Sequence, residues 1–327
     1  MNQLLDILKK FQGAHLLVVG DLMLDRFVMG DVERLSPEAP VPVLRVVSEE
    51  FRLGGAANVV HNIRTLGGRV TACGIIGNDE AGKRIRGVLR RVGASTAGVF
   101  TDRKFQTIQK SRIIASPHHQ QIVRLDRENR EPIHAATLKR LREFILQRVE
   151  RCDGVVLSDY GKGAVHGELL AALAARVGKR KIICVVDPKK ENFARYRRAT
   201  LITPNKSEAA DAAGIDIRDE KTLLAAGAKL LRRWRAQGIL ITRGADGMSL
   251  FRPRRKPRHF PTEPRDVFEV TGAGDTVVAV CALVLACGGD FAAAAMIANL
   301  AAGFVGDEIG TVAVPFNKLK LKIEELP

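Results

Sequence analysis

Short apolar runs alternate with amphipathic stretches along most of the chain. The runs are rich in Val, Ile and Leu, and helix-like segments near 135–150, 165–177 and 220–236 follow or separate them. Alternation at this spacing predicts an α/β fold, a doubly wound and mostly parallel sheet flanked by helices. The predicted strands are His15–Asp21, 154–159, 181–187, 199–203 and 238–242.

Two segments depart from this rhythm and alternate polar and apolar positions like exposed strands. They are residues 27–52 and 105–126, and the first contains Pro37, Pro40 and Pro42, which suit an edge or a turn. Together they predict a small β lid outside the main sheet, and the alternative is a long loop plus a hairpin. Because no Gly/Ser-rich linker divides the chain, we expect one domain, 1–327, that carries these two lid segments.

Polar residues collect where the predicted strands end. Ligands of doubly wound folds bind beyond the carboxyl ends of the strands, so we expect the functional site at this edge of the sheet. The residues concerned are Asp21, Asp159, Asp187, Pro204-Asn205 and Arg243-Gly244.

Two neighbouring motifs follow the first strand. Asp21 and Asp25 lie four residues apart, so their carboxylates can hold several hydroxyls of one sugar or can serve as a turn acid and a helix cap. Further on, Gly54-Gly55 permits close backbone approach, and the amide of Asn58 can then reach a sugar hydroxyl. A helix entered through a flexible glycine pair explains the second motif equally well.

The motif VTGAGDT runs into the apolar stretch Val277–Cys287. Gly272 and Gly274 let several N–H groups converge at the start of a helix, where the helix dipole also favours phosphate. Asp275 inside such a cradle suits a catalytic base that faces a hydroxyl. The alternative is a glycine turn in which Asp275 caps the helix.

Two further motifs favour nucleotide chemistry. In TPNKSE, Asn205 and Glu208 can hold Mg²⁺ through water, although Asn205 or Ser207 would also make a good helix cap. In ITRGADGMSLF, Thr242 and Gly244 can contact phosphates, although an ordinary hairpin accounts for the glycines.

Composition narrows the class of protein. The net charge of +16 is typical of nucleic-acid-binding proteins. The basic residues are, however, spread along the chain, and no aromatic residues suited to base stacking surround the dense run 252–260. We therefore expect anionic small-molecule substrates and no nucleic-acid partner. Five scattered cysteines lack metal-ligand spacing, and no apolar run reaches the length of a membrane span. These features predict a cytoplasmic protein without a membrane partner.

The order of the motifs resembles that of the ribokinase-like (PfkB) carbohydrate kinases, over about residues 14–315. The resemblance rests on a strand ending in GD, then GGAAN, PNKSE, TRGADG and VTGAGDT. Within that family, segments 24–46, 158–163 and 187–208 are similar to the heptose-7-phosphate kinases. The resemblance implies ATP-dependent phosphorylation of O1 of D-glycero-D-manno-heptose 7-phosphate, a step toward ADP-heptose and the lipopolysaccharide core.

The resemblance also implies a role for each matching position. Asp275 would be the base, and the N–H groups of Gly272, Ala273 and Gly274 would stabilise the transferring phosphoryl group. The nucleotide and Mg²⁺ would be held by Asn205, Glu208, Thr242, Arg243, Gly244, Gly247 and Asn299, with Glu208 acting on the metal through water. The sugar phosphate would be held by Asp21, Gly54, Gly55, Asn58, Lys162, Asp187 and Lys189, the two lysines near the 7-phosphate.

Some expectations stay open. Glu269 stands where relatives usually carry Asp, and Glu308 where they often carry Lys. These departures put in doubt a nucleotide contact or a monovalent-cation site at these positions. A homodimer through the lid is expected by analogy. Many relatives add an adenylyl-transferring domain, so a chain ending at Pro327 is expected to perform the kinase step alone. The alternatives are a kinase of ribose, a nucleoside or a fructose phosphate, and a non-catalytic sugar-phosphate sensor or nucleic-acid binder.

Overall fold

The computed structural model describes residues 2–116, 119–129, 131–180, 182–262, 271–305 and 310–326. Of the residues singled out above, Glu269 and Glu308 lie outside this part of the chain. No helix in the described ranges is long and apolar enough to cross a membrane.

The main sheet confirms the predicted doubly wound arrangement. Its strands are β1 (His15–Gly20), β4 (Arg69–Gly77), β5 (Ser95–Asp102), β8 (Gly154–Ser158), β9 (Ile183–Asp187), β10 (Leu201–Ile202), β11 (Gly238–Thr242), β12 (Met248–Phe251) and β13 (Arg258–Phe260). Their spatial order is β13-β12-β11-β10-β9-β8-β1-β4-β5. Neighbours from β11 to β5 are parallel, whereas β11–β12 and β12–β13 are antiparallel.

The two segments with exposed-strand patterns form a second, four-stranded sheet, which we call the small sheet. Its strands are β2 (Leu22–Leu35), β3 (Pro42–Gly55), β6 (Ile108–Ser116) and β7 (Gln120–Arg127), in the order β3-β2-β6-β7. The first segment begins earlier than predicted, because β2 starts two residues after β1 ends, whereas β6 of the second segment begins later, at Ile108. The chain therefore leaves the main sheet at Asp21 and enters the small sheet at once.

Helices cover the main sheet on both faces. They are α1 (Asn2–Lys9), α2 (Ala56–Thr65), α3 (Glu80–Arg91), α4 (Ala135–Arg148), α5 (Gly167–Arg180), α6 (Lys206–Ala213), α7 (Glu220–Trp234), α8 (Ala273–Ala286), α9 (Phe291–Val305) and α10 (Phe316–Glu324). The predicted helices near 135–150, 165–177 and 220–236 correspond to α4, α5 and α7. One apolar core lies on each face of the sheet, and the alternation of strand side chains separates the two cores.

Helix α8 lies within one of these cores. Every residue from Asp275 to Leu285 is buried, and a helix that is apolar all round needs such an interior position. It begins at Gly272, whose φ of +86° is a left-handed conformation that favours glycine. The glycine thus begins α8 and places Asp275 in its first turn.

Candidate active site

Asp275 lies in the first turn of α8 and is 2% exposed. Two neutral donors from other elements hold its carboxylate. Asn58 of α2 donates from Nδ2 to Oδ2 at 2.9 Å, and Tyr160, in the loop after β8, donates from Oη to Oδ1 at 2.7 Å. Both predicted residues, Asn58 and Asp275, therefore meet, although they are 217 positions apart.

Burial raises the pKa of Asp275 to about 7, and the two hydrogen bonds oppose the rise. The charge of Asp25 raises this pKa further, and that of Lys110 lowers it. A carboxylate that titrates near neutrality can accept a proton and still leave a substantial ionised fraction at physiological pH. Asp275 therefore has the protonation behaviour of a general base.

The backbone at the start of α8 offers open space beside this carboxylate. A Cβ added at Gly274 would find no atom within 4 Å, whereas one at Gly272 would lie 2.9 Å from Nδ2 of Asn58. The first N–H groups of a helix lack partners within the helix. Room beside those donors suits the oxygens of a phosphate.

Asp21 uses both of its oxygens to hold one loop. Its carboxylate accepts hydrogen bonds from the backbone N–H groups of Tyr160, Lys162 and Ala164, at 2.9, 3.1 and 3.0 Å. Burial and the charge of Asp159 raise the pKa of Asp21 to about 6. The side chain predicted to hold sugar hydroxyls thus fixes the loop after β8, and any sugar contact would use the remaining lone pairs.

Asp25 was noted with Asp21 in the sequence as a possible partner in holding sugar hydroxyls, but it was not predicted as a site residue. It is 4% exposed and forms a 2.7 Å ion pair with Arg112 of β6. A Cβ added at Gly54 would lie 2.3 Å from Oδ2 of Asp25, so glycine makes room for this pair. The four-residue spacing from Asp21 was the available signal, but only the pairing of β2 with β6 brings Arg112 to it.

A group of basic residues on the small sheet also escaped the sequence analysis. By strand register these residues share the face of Asp25, and the guanidinium groups of Arg52 and Arg112 both lie over the Phe27 ring. Lys162, from the main-sheet loop, reaches Glu128 just past β7 at 2.6 Å. We call the set the small-sheet cations: Arg52, Lys110, Arg112 and Arg124.

The predicted metal residues cluster where β9 and β10 end. Asn205 caps α6 and forms a capping box with Glu208, so the helix-cap alternative is correct for its side chain. The other oxygen of Glu208 accepts from Nζ of Lys189 at 3.3 Å. Asp187 is half-buried, and burial together with the charges of Glu208 and Asp275 raises its pKa well above the usual range. Asp187 therefore links this acidic cluster electrostatically to Asp275.

The predicted nucleotide residues lie beyond β11. The backbone of Thr242 bridges that of Asn205, and Arg243 donates from a terminal nitrogen to the carbonyl of Asp246 at 2.7 Å. Gly244 and Gly247 have φ values of +61° and +77°, as this tight turn requires. Nε of Arg243 is buried and has no hydrogen-bond partner among the described residues, which is uncommon for a buried donor.

Asn299 of α9 lies farther along the same edge, beside a cavity of about 330 Å³. Its amide donates to the carbonyl of Pro261 at 2.8 Å, and its oxygen accepts from Thr262. Apolar walls with a few amide and hydroxyl groups suit a flat heterocycle. The lining includes Phe260, Pro261, Thr262, Met296, Asn299 and Leu300.

Histidine and cysteine form no metal centre in the described ranges. No group of three or more His, Cys, Asp or Glu residues there is placed to hold a metal ion. Mg²⁺ keeps most of its water and binds few carboxylates, so it would not require such a cluster, and Asp187 and Glu208 lie near enough to act on each other electrostatically. All five cysteines are free.

Sequence comparison finds long relatives of this chain. A protein named bifunctional protein HldE from Geobacter metallireducens is 47% identical over 298 residues, which cover 91% of this chain and 60% of the relative. Its namesake from Desulfatibacillum aliphaticivorans is 41% identical over 317 residues, covering 97% of this chain and 64% of the relative. The chain thus spans about three fifths of the length of these curated relatives.

Structure comparison agrees on the fold. Phosphofructokinase-2 from Escherichia coli, solved with substrates and products, aligns with a TM-score of 0.80 at 19% identity, covering 95% of this chain and all of that one (100%). Ribokinase from Arabidopsis thaliana, solved with ribose and ATP, aligns at 0.72 and 20% identity, covering 96% and 99%. Residues 14–317 match the family described as pfkB family carbohydrate kinase, so the chain belongs to this family of ATP-dependent carbohydrate kinases.

Proposed function

We propose that the chain transfers the terminal phosphoryl group of ATP to O1 of D-glycero-D-manno-heptose 7-phosphate. The product would be the 1,7-bisphosphate, the precursor from which ADP-heptose for the lipopolysaccharide core is made. The observation that carries the proposal is the buried Asp275, held by Asn58 and Tyr160 at the start of α8 with a pKa of about 7. The similarity to proteins named HldE supports the heptose.

In this proposal Asp275 accepts the proton of the sugar hydroxyl as that oxygen bonds to the terminal phosphorus. The bond from this phosphorus to the bridging oxygen breaks, and ADP leaves. The N–H groups of Gly272, Ala273 and Gly274 stabilise the negative charge on the transferring group. Positioning and charge stabilisation are most of what phosphoryl transfer requires of a protein.

The nucleotide would lie along the β11 edge and across α8. Arg243, Thr242, Gly244 and Gly247 would line its phosphates, and Asn205 would help to orient them. The unpartnered Nε of Arg243 supports this placement. Asn299 and its cavity would receive the adenine.

Mg²⁺ would be held by Glu208 through water, with Asp187 nearby. When bound, the ion would neutralise charge on the phosphates. Lys189 contacts Glu208, which supports a role near the phosphates of the nucleotide, and its predicted contact with the sugar phosphate stays a prediction.

The phosphorylated end of the sugar would face the small sheet. Asp25, Gly54, Gly55 and Asn58 would border the sugar, with Asp21 holding the adjoining loop. Lys110 forms no salt bridge with any residue of the described ranges, unlike Lys162, which is paired with Glu128. Lys110 would therefore be the main contact of a second phosphate, while Arg52, Arg112, Arg124 and Lys162 are each paired with a carboxylate. An unphosphorylated sugar would need no such contact.

A substrate panel tests the proposal. ADP release and the position of the new phosphate are measured with heptose 7-phosphate, heptose, fructose 6-phosphate, ribose and a nucleoside. We expect heptose 7-phosphate to have the highest kcat/KM and the new phosphate to be on O1. Equal or higher kcat/KM with ribose or a fructose phosphate would disprove the heptose assignment and leave a sugar kinase of another specificity.

We further propose that residues 1–327 form one kinase unit in which the small sheet acts as a lid. A closed lid would exclude water and so limit ATP hydrolysis. The far end of the β2–β3 hairpin exposes large apolar side chains, which a second copy of the chain would cover. They include Leu35, Val41, Val46 and Val47, which are 51–66% exposed.

A further inference from the structure

Tyr160 occupies one oxygen of the carboxylate that the proposed function makes the base. Its hydroxyl lies 2.7 Å from Oδ1 of Asp275. Burial, and then the charge of Asp275, raises the pKa of Tyr160 well above its usual range, so the hydroxyl stays protonated. The tyrosine is therefore a neutral donor to this carboxylate, and such a donor favours its ionised form.

The backbone on both sides of Tyr160 is fixed by buried carboxylates. Asp21 accepts the N–H groups of Tyr160, Lys162 and Ala164. Asp159 accepts from the N–H of Gly161 at 2.8 Å, from Asn192 at 2.7 Å and from the hydroxyl of Tyr196 at 2.5 Å. Burying two carboxyl groups beside one loop costs free energy. Both of them hold the backbone next to Tyr160 and so fix its position.

We propose that Tyr160 is a positioning residue of the phosphoryl transfer: its hydroxyl, placed by Asp21 and Asp159, orients Asp275 so that the free lone pairs face the sugar hydroxyl. This inference rests on the proposed role of Asp275 as the base. Asn58 orients the other oxygen of Asp275 in the same way, by donating a hydrogen bond to Oδ2. Tyr160 itself accepts no proton, because its own hydroxyl is already a donor to the carboxylate.

Other charges also face Asp275. Asp25 and Lys110 act from the small sheet, and Asp187 acts from the end of β9. Tyr160→Phe leaves all three in place and removes one hydrogen bond. Because that bond lowers the pKa of Asp275, its loss raises this pKa further. The base is then protonated over a wider range of pH.

The experiment compares the pH profiles of kcat/KM for the wild type, Tyr160→Phe and Tyr196→Phe, with ATP and the best sugar of the panel. In Tyr160→Phe we expect the acidic limb to move to higher pH by about 1 unit, the size expected for one lost hydrogen bond to a charged group. The plateau at high pH should also fall, since the carboxylate is no longer oriented.

Tyr196→Phe is the matched control, because the chain has only these 2 tyrosines and both hydroxyls bond to buried aspartates. Because the Tyr196 hydroxyl contacts Asp159 and not Asp275, its loss should lower the melting temperature and move the acidic limb by much less than Tyr160→Phe does. An unmoved limb in Tyr160→Phe overturns the inference, and so does an equal movement in both variants, which would assign the effect to the loop. Asp275→Asn tests the base separately: if it keeps its activity, the proposed function fails whatever Tyr160→Phe does.

Discussion

At the residue scale, three buried aspartates near the edge of the sheet differ in what surrounds them. Asp21 accepts three backbone N–H groups, Asp25 pairs with an arginine, and Asp275 accepts from two neutral side chains. The oxygens of Asp21 and Asp25 are taken up by the loop after β8 and by Arg112, whereas Asp275 lies at the start of α8 beside the open space at Gly274. Of the three, Asp275 is therefore the one suited to a base.

The first prediction concerns this base. Asp275→Asn removes the proton acceptor, so we expect kcat to fall by a factor on the order of 10² or more with the fold intact. Steady-state kinetics and thermal unfolding measure the two effects. Asp211→Asn, on the exposed side of α6, is the control and should retain the wild-type kcat. A loss below tenfold in Asp275→Asn would remove it from the role of general base.

Sequence reasoning identified Asp275 because a Gly-rich helix start with an acid inside it is a local pattern. It did not identify Asp25, Arg112 or Tyr160 as a set. Each of them acquires its partner across a long stretch of chain: 87 residues separate Asp25 from Arg112, and 115 separate Tyr160 from Asp275. Pattern and spacing carry no information about such contacts.

At the scale of elements, the start of α8 contains two glycines with different roles: the backbone conformation requires Gly272, and the space around Gly274 is open. Gly272 needs its left-handed conformation, but a Cβ at Gly274 would meet no protein atom. Stability and activity should therefore respond in opposite directions to a change at Gly274.

We predict that Gly274→Ala folds at least as well as the wild type and loses activity. Alanine favours a helix over glycine by up to about 1 kcal/mol, but the methyl group would occupy the space proposed for phosphate oxygens. Gly87→Ala, on the exposed face of α3 with equally open surroundings, is the matched control and should gain stability without losing kcat/KM. Chemical denaturation and the KM for ATP measure the outcome, and an unimpaired Gly274→Ala would argue against the phosphate cradle.

The elements themselves were largely predictable. Buried β-branched runs mark five of the parallel strands, although β4 and β5 were not predicted. Helix α6 begins at the Asn205 capping box that its sequence indicates. The bounds of the small sheet were harder, because β2 continues directly from the end of β1 without a turn signal. The apolar pattern of Leu22–Leu24 is common to a main-sheet strand and a lid strand.

At the scale of the whole molecule, the small sheet projects an apolar hairpin from a strongly basic chain. Large apolar side chains that lie exposed next to one another mark a contact surface. The net charge of +16 suits substrates that are anions, although it also disfavours self-association at low salt.

We predict that the wild type is a dimer in sedimentation equilibrium at moderate salt and that Val46→Glu/Val47→Glu is a monomer. The added carboxylates would have to be buried unpaired in the proposed interface. Leu321→Glu, an exposed leucine on α10, is the control and should remain dimeric. A wild type that sediments as a monomer, or a dimeric double variant, would contradict an interface through the small sheet.

The sequence by itself determined five of the parallel strands, the glycine-rich start of α8 and the identity of its acid, because each depends on residues within one turn or one strand. Only the tertiary structure decided how the acid is held. The parallel sheet brings the ends of β1, β8 and β9 to one edge, and the small sheet adds Asp25 and its cations from the side. Long-range strand pairing, which local patterns do not encode, therefore turns a phosphate-binding motif into a site with an oriented base.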